Sequence, residues 1–323
     1  MTKKVFITRK IPQPGIDLLI DNGFDVEVFS ENKPIPNEVI IKKIQKVEAL
    51  LPLLTDSISK DVIEKGEKLK IIANYAAGFN NVDIAAATAR NIAVTNTPGV
   101  LTDATADLTW ALIMAVSKRI VESDIFTRER NFIGWEPLLF LGAEITGKTL
   151  GIIGAGKIGN AVAKRATGFN MNILYSGRSQ NLTIENELNG KKVEINELLQ
   201  KSDYISLHVP LTDKTFHLID KQELLHVKKT AYIINTSRGP VINESALAEA
   251  LKNNQIAGAG LDVYENEPAI HDELMQLKNV VLLPHIGSAT LETRTKMALM
   301  AATNIVEYFK GKQPPNILNP EVL

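Results

Sequence analysis

Along most of the chain, short apolar runs alternate with stretches of helical spacing. Residues 5–8, 26–29, 49–54, 69–73 and 92–95 read as strands, and 14–22 (closed by Gly23), 37–45 and 59–66 carry helical spacing between them. Strands alternating with helices predict a small α/β unit, a parallel sheet with helices packed on its faces. A long helical stretch follows, from Thr102 through Ala106, Leu108, Trp110, Ile113 and Met114 to about Ser123. The run 150–153 then opens a second α/β series. Its strands are expected at 172–175, 204–207, 231–234, 258–261 and 280–283, with helical patterns between most of them, 243–252 being one. A last helix is expected over about 288–308, before Pro314-Pro315 and a short tail.

At 323 residues the chain exceeds what one compact core usually holds, so the double series reads as two domains. Lys and Arg total 36 against 37 Asp and Glu, a net charge of −1. That balance provides no basic field, and no nucleic-acid partner is expected. The absence of cysteine removes disulfides, thiolate metal ligands and a cysteine nucleophile, and no metal site is expected. The first residues return to charge after the three apolar residues Val5-Phe6-Ile7, unlike a signal peptide, and no apolar run is long enough to span a bilayer. The expectation is a cytoplasmic protein with no membrane partner.

Gly154-Ala155-Gly156-Lys157-Ile158-Gly159 has the form G-x-G-x-x-G. Glycines at this spacing are weak evidence alone. Here they follow the apolar run 150–153 and precede a helical pattern through Ala161, Val162 and Ala166, the setting a dinucleotide fingerprint requires. Gly154 is expected to permit a tight turn, Gly156 to let the backbone approach a pyrophosphate, and Gly159 to let helix and strand pack closely. The N–H groups at the helix start would meet the phosphates. About 20 residues past such a loop, an NAD site usually has a carboxylate for the ribose 2′-OH. This chain has Ser176-Gly177-Arg178-Ser179 instead. A carboxylate would repel a 2′-phosphate, whereas an arginine and two hydroxyls attract one, so NADP(H) is expected to be preferred over NAD(H). The alternative is a solvated Arg178 and use of both cofactors.

Three polar residues each fall just past an apolar run. They are Arg238 in Asn235-Thr236-Ser237-Arg238-Gly239, Glu267 before Pro268, and His285 in Leu283-Pro284-His285-Ile286-Gly287-Ser288. Parallel sheets bind ligands beyond the carboxyl ends of their strands, and such positions converge in space. Arg238 has the planar fork that suits a carboxylate. Alone, the arginine would read as a surface ion pair and the histidine as structural; the coincidence of all three points to a reacting centre. His208, in Leu207-His208-Val209-Pro210, is also at a strand end, while His217, His226 and His271 read as solvated.

Together with Ala77-Gly78, Asp83, Asn96-Thr97-Pro98-Gly99 and Thr105-Ala106-Asp107, these motifs resemble in kind and order the D-isomer-specific 2-hydroxyacid dehydrogenases over nearly the whole chain. Within that family the glyoxylate/hydroxypyruvate reductase branch, with its 2-ketogluconate reductase relatives, is most similar. The resemblance implies an α/β fold of two Rossmann-like domains, a flavodoxin-like substrate domain and an NAD(P)-binding Rossmann domain, with the active site in the cleft. The substrate domain would be discontinuous, 1–98 plus 287–323, around a cofactor domain at 99–286.

The implied reaction is reduction of a small 2-keto acid to a D-2-hydroxy acid by a nicotinamide hydride. His285 would be the general acid and base, Glu267 would fix its tautomer, and Arg238 would orient the carboxylate and polarise the keto oxygen. The backbone N–H groups of Ala77 and Gly78 would hold the substrate carboxylate, with Arg238 and His285 as the other substrate contacts. For the cofactor, the resemblance implies the whole glycine loop, including Ala155, Lys157 and Ile158, and a 2′-site at Ser176, Arg178 and Ser179. It adds His208, Pro210 and Thr236 around the dinucleotide, Asp262 on the carboxamide, and Thr105, Arg238, His285, Gly287 and Ser288 near the ring. Members of the branch are homodimers through the region of Gly134-Trp135-Glu136-Pro137, so a homodimer is expected. Trp135 either reaches the partner's site or packs in its own subunit.

Formate dehydrogenases depart from this pattern, with glutamine in place of Glu267, whereas a short phosphoglycerate or D-lactate enzyme stays in play. From another class, a co-regulator that senses nicotinamide cofactors keeps the same machinery, and binding without turnover would mark it. Leu53-Leu54 offers no cation for a phosphate or second carboxylate, which favours glyoxylate, hydroxypyruvate or 2-ketogluconate.

Overall fold

The computed structural model describes residues 2–31 and 33–323. The chain begins β1 (Lys4–Ile7), α1 (Gln13–Asp21), β2 (Asp25–Val28), α2 (Asn37–Ile44), β3 (Ala49–Leu51), α3 (Lys60–Glu64), β4 (Ile71–Ala73), α4 (Ile84–Ala89) and β5 (Ala93–Thr95). It continues α5 (Thr102–Ser117), α6 (Ile120–Arg128), β6 (Thr149–Ile153), α7 (Lys157–Ala166), β7 (Asn172–Ser176), α8 (Leu182–Leu188), β8 (Lys191–Lys192), α9 (Ile195–Lys201) and β9 (Tyr204–Leu207). Then come α10 (Lys221–Leu224), β10 (Tyr232–Asn235), α11 (Glu244–Lys252), β11 (Gly258–Leu261), α12 (Asp272–Gln276), β12 (Val280–Leu282) and α13 (Leu291–Phe309). Two compact units result: one runs up to Leu101 and resumes over Ser288–Leu323, the other is Thr102–Gly287. Both are built on parallel sheets of the Rossmann-like α/β class.

In the first unit the strand order is β2-β1-β3-β4-β5, with Val5 level with Val26 and Ala49. Successive strand residues point to opposite faces, and both faces are covered, so the strands are continuously apolar. Val5 and Ile7 pack with Leu19 of α1 and Met297, Ala301 and Ile305 of α13. Phe6, Leu50 and Ile72 pack with Ile40, Ile44, Val62 and Ile63 on the other side. β3 stops short of the 49–54 run because Pro52 follows and the Leu53 N–H turns to the Asp56 carboxylate (2.8 Å) and the Thr8 hydroxyl (3.2 Å). Helix α4, which the alanine-rich segment did not announce, starts where Asp83 accepts the Ala86 N–H at 2.9 Å.

The second unit is a seven-stranded parallel sheet in the order β12-β11-β10-β9-β6-β7-β8. The order reverses between β6 and β9, the switch point at which open α/β sheets bind ligands. The long helical stretch expected to reach Ser123 is two helices. Arg119 adopts a left-handed φ of 55°, and the Ser117 carbonyl is taken by the Ala143 N–H at 2.9 Å. Arg119 then anchors the new helix through two bonds to Glu122, at 2.8 and 3.0 Å. Among the described residues, no helix is long and apolar enough to cross a membrane.

Candidate active site

After β6 the glycine loop turns the chain into α7. Gly154 has a φ of +98°, and a Cβ there would lie 2.7 Å from the His208 carbonyl carbon, so neither conformation nor space admits a side chain. A Cβ at Gly159 would meet the Gly154 carbonyl oxygen at 2.2 Å, which is how closely α7 lies on the loop. Gly156 is different: it is the N-cap of the ten-residue α7, is exposed, and has no atom within 4 Å of where a Cβ would be. That clearance beside a helix N-terminus fits a dinucleotide pyrophosphate, with the first residues of α7, Lys157 and Ile158, supplying N–H groups.

The Ser176 carbonyl at the end of β7 accepts the Gly154 N–H (2.9 Å), and Arg178 and Ser179 are exposed just beyond. Asn181 donates its side-chain amide to the Ala155 carbonyl (2.9 Å), a tie no motif signalled. The first carboxylate after β7, Glu185, is engaged elsewhere. It accepts from the Tyr175 hydroxyl (2.6 Å) and the Gln180 amide, bonds that hold it below the usual carboxylate range. Leaving β9, His208 keeps Nε2 2.8 Å from the Ser206 hydroxyl, while its Nδ1 is buried without a partner. Burial pushes this ring down to about 3, so it is neutral. A buried ring nitrogen without a partner beside the glycine loop is a further fit to a bound dinucleotide. Pro210 follows, its carbonyl accepting the Thr215 hydroxyl at 2.6 Å.

Arg238, Glu267 and His285 follow β10, β11 and β12, which are neighbours in the sheet. His285 Nδ1 lies 2.8 Å from Glu267 Oε2, with the two side chains 24% and 26% exposed. His285 has a left-handed φ of 55°, an uncommon conformation for a side-chain-bearing residue and one that gathers at functional sites. The segment is held from beneath by Asp262, buried, whose oxygens accept the N–H groups of Ile286 (2.7 Å) and Gly287 (2.8 Å). The Thr105 hydroxyl donates to the Gly287 carbonyl at 3.1 Å, and the Thr105 carbonyl accepts from Thr109, whose hydroxyl meets that of Thr236 at 2.9 Å. In the other unit, the Ser288 carbonyl accepts from Arg294 at 3.2 Å, and the carbonyls of Ala77 and Gly78 accept side-chain amides of Asn96 (2.7 Å) and Asn74 (3.0 Å).

Burial alone would raise Glu267. The His285 hydrogen bond and charge outweigh it, with help from the Tyr264 N–H and the Arg238 charge, and leave Glu267 below the usual carboxylate range. Burial pulls Arg238 down and the Glu267 charge pushes it back, and a guanidinium stays charged at neutral pH either way. Asp262 moves upward, because burial exceeds the effect of its two N–H donors and of His285. Since Glu267 is lowered, the stability it contributes is present above its unfolded value and is lost as pH falls through the folded one. Glu267→Gln should therefore lower Tm most near neutral pH, with the two melting curves converging in acid. A Tm difference independent of pH would show that the lowered carboxylate is not what the substitution removes.

One expectation about the histidines needs correction. His217 and His271 are not solvated: His217 lies 3.3 Å from Glu265, and His271 is 3.1 Å from the Ser245 hydroxyl; only His226 is exposed among the three. Of the two alternatives for Trp135, packing within its own subunit is disfavoured by its 83% exposure. Among the described residues, no group of three or more His, Asp or Glu is placed to hold a metal.

A family profile described as "D-isomer specific 2-hydroxyacid dehydrogenase, NAD binding domain" matches residues 110–287. The chain belongs to the D-isomer specific 2-hydroxyacid dehydrogenase family. It is 52% identical over 327 aligned positions to a glyoxylate reductase of Thermococcus litoralis, covering 100% of this chain and 98% of that one. A solved glyoxylate reductase from Paecilomyes thermophila superposes with a TM-score of 0.88 at 30% identity, covering 99% of each chain. An NADPH-dependent glyoxylate/hydroxypyruvate reductase from Sinorhizobium meliloti, solved with NADP and malonate, gives 0.88 at 28% identity, covering 99% of this chain and 98% of that one. This dehydrogenase is thus an NAD(P)-dependent oxidoreductase, and the glycine loop lies in the part matched as NAD-binding.

Proposed function

We propose that the chain is an NADP(H)-preferring reductase of small 2-keto acids to D-2-hydroxy acids, with glyoxylate, hydroxypyruvate or 2-ketogluconate as substrates. The observation that carries this proposal is the 2.8 Å pairing of His285 Nδ1 with Glu267 Oε2, with the charge of Arg238 acting on the same carboxylate. Glu267 accepts a hydrogen bond from His285 Nδ1–H, which fixes the ring, favours its protonated form and leaves Nε2–H to protonate the oxygen on the substrate C2. Arg238 stabilises the negative charge growing on that oxygen and orients the carboxylate. The amides of Ala77 and Gly78 take the substrate carboxylate. Bound at the glycine loop, the nicotinamide cofactor contributes the hydride to C2. The discontinuous unit, up to Leu101 and again over Ser288–Leu323, is then the substrate domain and Thr102–Gly287 the cofactor domain. The named relatives act on glyoxylate, which supports the substrate class.

Preference for NADP(H) rests on the exposed Arg178 and the engagement of Glu185 with Tyr175. Arg178→Asp should lower kcat/KM with NADPH by about 10- to 10²-fold, the worth of one charged hydrogen bond, with NADH little affected. Equal losses with both cofactors would sink the preference. Association as a homodimer is supported by Ile133, Trp135, Leu138 and Leu141, all exposed apolar side chains close together in sequence. Light scattering should then give twice the chain mass; a single chain mass would overturn the dimer.

The deciding experiment follows oxidation of NADPH and of NADH by the purified protein with glyoxylate, hydroxypyruvate, pyruvate and 2-ketogluconate. Fast oxidation with the proposed substrates, NADPH ahead of NADH, is expected. Tight NADPH binding with no turnover on any 2-keto acid would transfer the case to a cofactor-sensing role.

A further inference from the structure

The loop after β4 carries an arrangement that the sequence motifs did not show. Four consecutive carbonyls are tied down: Ala76 by the Thr97 N–H (2.8 Å), Ala77 by the Asn96 side chain (2.7 Å), Gly78 by the Asn74 side chain (3.0 Å) and Phe79 by the Val82 N–H (3.0 Å). Asn74 is fully buried and Asn96 is 5% exposed. The Asn74 amide is fixed by a reciprocal pair with Asn81, at 3.0 and 3.1 Å. Asn81 also donates to the carbonyls of Leu53 and Asp56, each at 3.1 Å, so the loop after β3 is tied into the same frame.

The N–H and C=O of a trans peptide point in opposite directions. Carbonyls of 76, 77 and 78 drawn toward Asn74, Asn96 and Thr97 therefore turn the N–H groups of Ala77, Gly78 and Phe79 the other way. Among the described residues none of these three has a backbone acceptor. Ala77 and Gly78 are partly exposed and Phe79 is 44% exposed, so the loop is within reach of a ligand. Successive N–H groups turned to one side form an anion-binding concavity.

We propose that Asn74 and Asn96 are positioning residues that hold the N–H groups of Ala77, Gly78 and Phe79 as a three-donor seat for the carboxylate of a 2-keto acid. This rests on the proposed role of the Ala77 and Gly78 amides and adds Phe79 as the third donor and the two buried asparagines as its cause. No side chain of the seat contributes charge, so it selects a planar anion by geometry. Asparagine is required because its Nδ2 donates to a backbone carbonyl from within the core; aspartate would present a second acceptor and turn the peptide away.

The test is amide NMR of the wild-type protein titrated with oxalate, alongside Asn96→Ser and Asn96→Asp. The Ala77, Gly78 and Phe79 amide resonances should shift together with one Kd. In Asn96→Asp the oxalate Kd and the KM for the keto acid should both rise about tenfold or more, as expected for loss of charged hydrogen bonds, while kcat and the NADPH Kd stay within about threefold. Asn96→Ser, milder, should fall between. Oxalate binding that leaves these amides unmoved, or an Asn96→Asp protein with unchanged KM and Kd, would overturn the proposal; so would equal losses in kcat, KM and NADPH binding. A wild-type protein that binds oxalate here yet reduces no keto acid would sink the proposed reaction and leave the seat standing.

Discussion

His285→Ala is expected to lower kcat for 2-keto acid reduction by about 10²-fold or more, the usual worth of a positioned general acid. The loss should appear in kcat and kcat/KM alike, because the proton moves only in the transition state. NADPH binding, measured by nicotinamide fluorescence, should change far less, since Gly154, Gly156 and the start of α7 are untouched. Backbone strain can be separated from chemistry at the same position. His285 sits at a φ of 55°, which glycine adopts freely and alanine does not. His285→Gly should therefore melt at least as high as His285→Ala while being as inactive. A kcat close to wild type in either variant would show that the proton comes from another group.

The fold is legible because both units bury their sheets on two faces, so the strands stand out as unbroken apolar runs. The site is legible for a related reason: in a parallel sheet, whatever follows each strand lies at the same edge, and Arg238, Glu267 and His285 each follow a strand. Elements that depend on partners distant in sequence are not legible. The break at Arg119 depends on the Ala143 N–H capturing the Ser117 carbonyl, and nothing in the local apolar spacing marks it. The two-residue β8 exists only because it pairs with β7, level with Leu174 and Tyr175. The supports of the site are equally hidden. Asp262 reaches the backbone of residues 24 and 25 positions later, and Asn96 reaches a carbonyl 19 positions earlier. His217 and His271 read as solvated because a histidine in a loop gives no sign of the glutamate or serine that folding brings beside it.

Gly239→Ala is expected to cripple the enzyme through a single methyl group that touches neither substrate nor cofactor. A Cβ at Gly239 would fall 1.8 Å from the Tyr264 carbonyl carbon and 2.5 Å from the Glu265 nitrogen, both backbone atoms that no rotamer change can move. The loop after β11 must shift bodily to admit it, and that loop carries Glu267. Its geometry is held by the Tyr264 N–H on Glu267 Oε1 (3.1 Å), by the Tyr264 hydroxyl on the Leu283 carbonyl (2.8 Å) and by the reciprocal bonds between Glu244 and Glu265. A displacement there moves Glu267 relative to His285, and moves Arg238, the immediate neighbour of Gly239, as well. Displacing a reacting group by about 1 Å costs on the order of 10²-fold in rate, so kcat should fall by at least that much. The overpacked loop should also destabilise the fold by about 1–3 kcal/mol, visible as a lower denaturation midpoint with an unchanged m-value. Gly239→Ala with wild-type kcat would mean that the two loops can separate without disturbing the His285–Glu267 pair, and the rigid support inferred for that pair would then be wrong.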